Sequence, residues 1–358
     1  LHAGIYREDN TMEIKIERNP NPAPKPTDES KLGFGKVFTD HMFLMDWDRE
    51  TGWHDARIVP FGNLSLHPGT TALHYALEVF EGLKAYRRAD GKVQTFRPFE
   101  NAKRINNSAK RLSMPTIPEE DFVQAIDTLV DLDQDWVPHA EGTSLYIRPY
   151  IIGTDKSVGL HTLNSALFVI ICAPSGSYYP QGINPVKIMV ETEDVRAVRG
   201  GTGFTKCGGN YAAAQRAGEI AEEKGYTQVL WLDGVERKYI EEVGSMNMMF
   251  KIDGTIVTPE LNGSILPGIT RKSILELLRA DGEKVEERRV SLEEVVEAAE
   301  NGKLEEAWGC GTAAVVSPVG WLRVGDKEYE INGGKIGPTV HKLYDEITGI
   351  QWGKSEDR

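Results

Sequence analysis

Between residues 175 and 185 the chain reads SGSYYPQGINP, and no helical or strand period survives a run with two glycines and two prolines. The stretch divides the molecule. Ahead of it ALFVIICAP reads as a fully buried strand, and after it VKIMVET begins a new one. A chain of 358 residues also exceeds what one ordinary core holds. The sequence therefore predicts an N-terminal extension over 1–32, a smaller domain over 33–174, a connecting loop over 175–187 and a larger domain over 188–358.

Each half mixes hairpins with helices. After a short strand-like MEIKIE, NPNPAPKP cannot enter a helix or a central strand, so it should run as an extended arm. FTDHMFLMDWD and GWHDARIVPF flank RETG as a hairpin, and LKAYRRADGKVQTFR repeats the device around Asp90 and Gly91. Pro98 opens a helix whose Ala102, Ile105, Ala109 and Leu112 share a face, with Arg104 beside that stripe. EEDFVQAIDTLVDLDQDWVP is a second amphipathic helix that turns Phe122, Ile126, Leu129 and Val130 inward.

Beyond the break come a helix in AAAQRAGEIAEEKG and two hairpins with Asp-Gly turns, TQVLWLDGVERKYIEEV and MNMMFKIDGTIVTP. A helix closed by Gly282 follows, then one opened by a capping box of Ser291 and Glu294, and EAWGCGTAAVVSPVGWLRV returns as strand. The fold class is mixed: α/β with α+β character in both domains.

Composition narrows the function. A net charge of −13 argues against a nucleic-acid or anionic-membrane partner, since either needs a basic face. Cys172, Cys207 and Cys310 are odd in number and widely spaced, so neither a disulfide framework nor a metal site is expected. No basic-then-apolar leader opens the sequence, and Met12 reads as a natural start. A cytoplasmic small-molecule enzyme is the expectation.

The segment RGGTGFTKCGGNY sets Lys206 among five glycines. A phosphate-binding loop would put Gly before that lysine and Ser or Thr after it, and here Thr205 and Cys207 stand there. The dinucleotide fingerprint also fails, because Lys206 occupies its third glycine position. What remains is a lysine at a strand-to-helix junction, with Tyr211 five positions on.

That segment, followed by EEVGSMNMMF, LNGSILPGITR and GCGTAAVVSPV, resembles the branched-chain amino acid aminotransferases. GKVFTDHMFLMDW, LHPGTTALHYALEVFEGLKAYR, FRPFENAKRINNSAKRL and DWVPHAEGTSLYIRPYIIG in the first half are similar to the same family. The resemblance implies fold type IV of the pyridoxal-phosphate enzymes, an architecture shared with D-amino acid aminotransferase, with the site between two domains and a homodimer as the working unit. It implies transfer of the amino group of leucine, isoleucine or valine to 2-oxoglutarate, giving 2-oxo acids and glutamate.

Under that resemblance Lys206 matches the lysine that condenses with the aldehyde of pyridoxal 5'-phosphate, and Tyr211 the tyrosine bonded to the cofactor's phenolic oxygen. Glu242 matches the carboxylate at the ring nitrogen. Its neighbour Glu241 must point to the opposite face of a strand and reads as a solvated charge. Arg104, the amides of Ile269 and Thr270, and the Thr312 hydroxyl match the phosphate cradle, which suits a helix N-terminus. For the substrate, Tyr146 and Arg148 lie two apart on one strand face. Tyr75, Phe80 and Tyr178 match aromatic walls, Ser245 and Met246 lie near the pocket, and backbone around Ala313 receives the α-carboxylate. Arg148 also receives glutamate's distal carboxylate.

Two departures stand out. Ala314 and Ser317 occupy positions where animal members can carry a C-x-x-C pair, and Ser245 stands where many members have threonine. Same-fold alternatives are D-amino acid aminotransferases and aminodeoxychorismate lyases. A phosphate- or nucleotide-binding regulatory module is the alternative from another class, and it leaves Glu242 and Tyr211 without a purpose.

Overall fold

The computed structural model describes residues 11–178 and 183–358. Most of the segment ahead of Met12 and residues 179–182 of the connecting loop lie outside the described residues. The chain builds two sheets and changes from one to the other between Ser175 and Val186, across the Gly- and Pro-rich break.

The first sheet has eight strands. Its spatial order is Lys15–Ile16, Gly52–Pro60, His41–Asp48, Ser165–Ser175, Ser144–Gly153, Leu83–Arg87 and Val93–Thr95, with Glu78–Phe80 also paired to Ser144–Gly153. Apart from the parallel first pair, neighbours run antiparallel. The helices Pro98–Arg111 and Glu119–Leu132 pack on one face. Ala102, Ile105, Ala109, Phe122, Ile126 and Leu129 are fully buried, as their period requires. Each large side chain among them contributes roughly 1.5–3 kcal/mol on leaving water. The arm over 19–26 stays extended, tied by the Asn19 and Ala23 amides to His41 and Asp40.

The second half departs from a simple series of hairpins. Strand Ile240–Val243 pairs with both Gln228–Leu232 and Met246–Ile252. Val186–Val190, Val315–Val324 and Leu304–Gly311 complete a closed ring of six strands. Closure removes the free edges that an open sheet would expose. Outside the ring lie Thr255–Pro259, Val285–Arg288 and Lys327–Glu330, and the helices Ile269–Ala280, Leu292–Glu300 and Pro338–Gln351.

Local details differ from expectation for identifiable reasons. The turn after Leu232 is a longer loop because the Asp233 carboxylate accepts four backbone N–H groups, from Val235, Glu236, Lys238 and Tyr239. The expected helix after Lys206 is two pieces, Gly208–Ala212 and Gln215–Glu223. Only half of the capping box forms: Ser291 accepts from the Glu294 amide, while the Glu294 side chain pairs with Arg288. The strand expected over 306–324 is a hairpin that turns at Thr312–Ala314.

Candidate active site

The segment holding Lys206 belongs to the second half of the chain but is clamped by the first. The Lys206 amide donates to the Ser108 hydroxyl at 2.9 Å, and its carbonyl accepts from the Phe80 amide at 3.0 Å. Val79 and Cys207 form a β-bridge, and the Glu78 carboxylate accepts from the Gly208 amide at 2.8 Å. Glycine is required nearby by close approach: a Cβ on Gly203 would lie 2.2 Å from the Ser264 carbonyl oxygen.

The half-buried Lys206 amine donates to the Tyr211 hydroxyl at 2.7 Å and lies 4.7 Å from the centre of the Phe80 ring. Burial, with the Arg104 guanidinium nearby, brings its pKa down to about 7. Tyr211 moves the other way, upward, because burial and the Glu242 charge both disfavour a phenolate. Glu242 is buried, and its carboxylate accepts from the Leu266 amide at 2.7 Å and sits 3.2 Å from Arg196. Desolvation raises its pKa, opposed by Arg196. Glu242, Tyr211, Arg196, Ser245 and Leu266 line a cavity of about 220 Å³.

Glu241 corrects a sequence expectation. Strand Ile240–Val243 carries one extra residue against Leu230–Leu232, so simple alternation does not hold there, and Glu241 is 3% exposed and bonded to Ser264 and Asn262. The ring of strands buries both faces here, so neither glutamate is solvated.

Arg104 is equally buried, and Glu81 grips it with two bonds of 2.7 and 2.8 Å. Asn101 and the Gly82 amide satisfy Glu81 further. That fork occupies Nε and one Nη of Arg104 and aims the other Nη at the Pro267 carbonyl, 3.2 Å away, where helix Ile269–Ala280 begins. A Cβ on Gly268 would come within 2.0 Å of Asn247 Oδ1, so only glycine lets the chain enter that helix so tightly.

These features fit pyridoxal phosphate. A lysine amine with a lowered pKa suits an aldehyde, and a buried carboxylate suits a ring nitrogen. An arginine beside the open amides of a helix start suits a phosphate.

Across from Lys206, Phe80, Tyr146 and Arg148 come together. Arg148 donates to the Tyr146 hydroxyl at 3.0 Å and lies 4.8 Å from the Phe80 ring centre, while Ile147 between them is buried in the core. The Phe80 and Tyr211 rings are 4.9 Å apart, which joins this face to the lysine. Thr312 and Ala313 lie in the 312–314 turn, and the Ala313 carbonyl accepts from Lys84 at 2.9 Å. Tyr178 and Ala313 line a second cavity of about 560 Å³. Ile269 and Thr270 open the helix as expected.

Two of the expected residues are not brought against Phe80, Tyr146 or Tyr211 within this chain. Tyr75 is 39% exposed and donates to the Val158 carbonyl, with no ring contact to Phe80, Tyr146 or Tyr211. Met246 packs with the core of the second sheet over Gly309 and Gly311. Sequence reasoning missed Glu81, Arg196, Ser108, Lys84 and Phe34, whose ring packs edge-on against Tyr146 at 4.8 Å. Only Glu81 left a signal: a carboxylate between the apolar Phe80 and the following Gly82 and Leu83 needs a buried cation, and Arg104 is that cation.

Residues 78–320 match the family described as Amino-transferase class IV. The chain is 54% identical over 344 residues to branched-chain-amino-acid aminotransferase 2 of Bacillus subtilis (strain 168), covering 96% of this chain and 94% of that one. Among solved structures it resembles the Escherichia coli branched-chain amino acid aminotransferase, with a TM-score of 0.74, 26% identity, and 89% of this chain and 97% of that one covered. It also resembles a T.th. branched-chain amino acid aminotransferase complexed with N-(5'-phosphopyridoxyl)-L-glutamate, with a TM-score of 0.71, 27% identity, and 87% and 95% covered.

Proposed function

The chain belongs to the class IV aminotransferases, and from that premise we propose which of its residues carry the reaction. The activity is transamination of branched-chain amino acids with pyridoxal phosphate as cofactor. The observation that carries our assignment is the Lys206 amine, 2.7 Å from the Tyr211 hydroxyl and reduced in basicity by burial.

When bound, pyridoxal phosphate supplies an aldehyde for the amino group and a ring that draws electrons from the adjoining carbon. Glu242 holds the proton on the ring nitrogen, and Arg196 with the Leu266 amide keeps that carboxylate in place. Tyr211 bonds the phenolic oxygen. Arg104, the Ile269 and Thr270 amides and the Thr312 hydroxyl hold the phosphate. Lys206 Nζ takes the proton from the substrate's α-carbon, and a pKa of about 7 lets the amine be neutral at working pH.

Phe80, Tyr146, Tyr178 and the stem of Arg148 wall the side-chain pocket, with Ser245 at its margin, and the Arg148 guanidinium receives the distal carboxylate of glutamate or 2-oxoglutarate. Backbone at Ala313 receives the α-carboxylate. Amino donor and acceptor thus share one pocket in turn.

We also take the working unit to be a homodimer of two-domain chains divided at 175–187. Leu73, Val158 and Leu160 are 63%, 71% and 69% exposed, and Tyr75 bonds the Val158 carbonyl, apolar surface that a second copy would cover. Its free, buried cysteines suit a reducing cytoplasm.

The test is an absorbance spectrum of the purified protein with added pyridoxal phosphate. A visible band that borohydride abolishes, leaving the label on the Lys206 peptide, is expected. No band, or a label elsewhere, would overturn the assignment.

A further inference from the structure

Lys84 is a second cation on the substrate face. Strand Leu83–Arg87 pairs with Ser144–Gly153 so that Lys84 lies directly opposite Tyr146, and Arg148 follows two residues along on the same face. No carboxylate lies within ion-pair reach of Lys84 among the described residues. Its amine donates instead to the Ala313 carbonyl at 2.9 Å, across 229 positions of sequence and between the two sheets. A cation left without an anion in a largely buried setting is costly unless a ligand or a dipole meets it.

The turn it holds is under strain. Gly311 pairs with Val315, so residues 312–314 form a tight three-residue hairpin loop. Val315 adopts φ 62°, a left-handed backbone that a β-branched side chain disfavours, and the Val316 amide donates back to the Ala314 carbonyl at 2.8 Å. Strain of this kind persists only where surrounding structure over-determines it. Lys84 supplies one such constraint from the other half of the molecule, and it does so at the planar peptide joining Ala313 to Ala314.

We infer that Lys84 is a positioning residue for the carboxylate common to every substrate: holding the Ala313 carbonyl sets the 312–314 turn whose amides meet that group. The inference rests on the reading that backbone at Ala313 receives the α-carboxylate. It separates Lys84 from Arg148, which faces the distal carboxylate of the dicarboxylic pair alone.

The experiment uses the holoenzyme and its Lys84→Met and Lys84→Arg variants, with steady-state constants for leucine, glutamate and 2-oxoglutarate and a titration with pyridoxal phosphate. The wild-type spectrum and turnover are recorded first, so that failure of the enzymatic assignment appears there. Lys84→Met is expected to raise KM about tenfold for all three substrates, with kcat and cofactor affinity within about twofold, the pattern of lost uniform binding. Lys84→Arg, which keeps a charged donor, should return KM to within about threefold of wild type. A change confined to glutamate and 2-oxoglutarate would make Lys84 a reader of the distal carboxylate and overturn the inference. Unchanged KM values overturn it too, as does a fall in cofactor affinity alongside KM, which marks a general strut. If Lys84→Met does not fold, Lys84→Gln, which keeps a donor and loses the charge, is read by the same criteria.

Discussion

The two walls of the cleft treat charge in opposite ways. On the wall we assign to the cofactor, Arg104 is locked by Glu81 and Glu242 by Arg196 and the Leu266 amide. On the wall we assign to the substrate, Arg148 touches, among the described residues, only aromatic rings and a tyrosine hydroxyl, and Lys84 only a carbonyl. Arg148 Nε is buried without an acceptor among the described residues. A resident group can be met by a permanently paired scaffold. A pocket that takes leucine in one half-reaction and glutamate in the next must keep a cation available and accept its desolvation between turnovers.

The largest expected effect breaks the paired wall. Glu81→Gln removes the charge that compensates a buried guanidinium and should cost about 3–5 kcal/mol of stability, as breaking a buried pair from one side does. Pyridoxal phosphate affinity should fall by about ten- to a hundredfold, because Arg104 no longer has a fixed orientation. Thermal melts with and without cofactor, together with a cofactor titration, measure both. Unchanged cofactor affinity would mean that Glu81 serves the fold alone.

Next in size is a break in the open wall. Arg148→Met should lower kcat/KM of the glutamate half-reaction by about ten- to a hundredfold, since a charge-assisted hydrogen bond contributes roughly 1.5–3 kcal/mol. Leucine should lose much less, because methionine keeps an apolar stem against Phe80. Single-turnover absorbance kinetics of each half-reaction decide it, and equal losses would refute the division between the walls.

The smallest effect links the walls through Lys206. Its amine must be neutral to react with an aldehyde, so the rate at which apoenzyme takes up pyridoxal phosphate should rise with pH through about 7 and then level. Arg148 is one of the cations that disfavour the ammonium form, so Arg148→Met should move that midpoint upward by less than about one pH unit. A downward move would show that the guanidinium does not act on Lys206 through space.

Local pattern made much of the molecule legible. The 3.6-residue period placed Ala102, Ile105 and Ala109 inward, and the Asp253-Gly254 pair set its hairpin turn with both residues at positive φ. The Gly- and Pro-rich stretch after Ser175 lies where the chain changes sheets. Motifs in order along the chain also brought out Lys206, Tyr211, Glu242, Arg104 and Arg148, since a family pattern is carried by short segments. Tertiary structure decided the rest. Closing six strands into a ring buries Glu241 as well as Glu242, a result that alternation along one strand cannot reveal. Glu81 and Arg104 are 23 positions apart, and Lys84 and Ala313 229 apart. Periodicity fixes which face a side chain takes within its own element. Which partner meets it there depends on how distant elements pack, because only packing removes the water that would otherwise screen the charge.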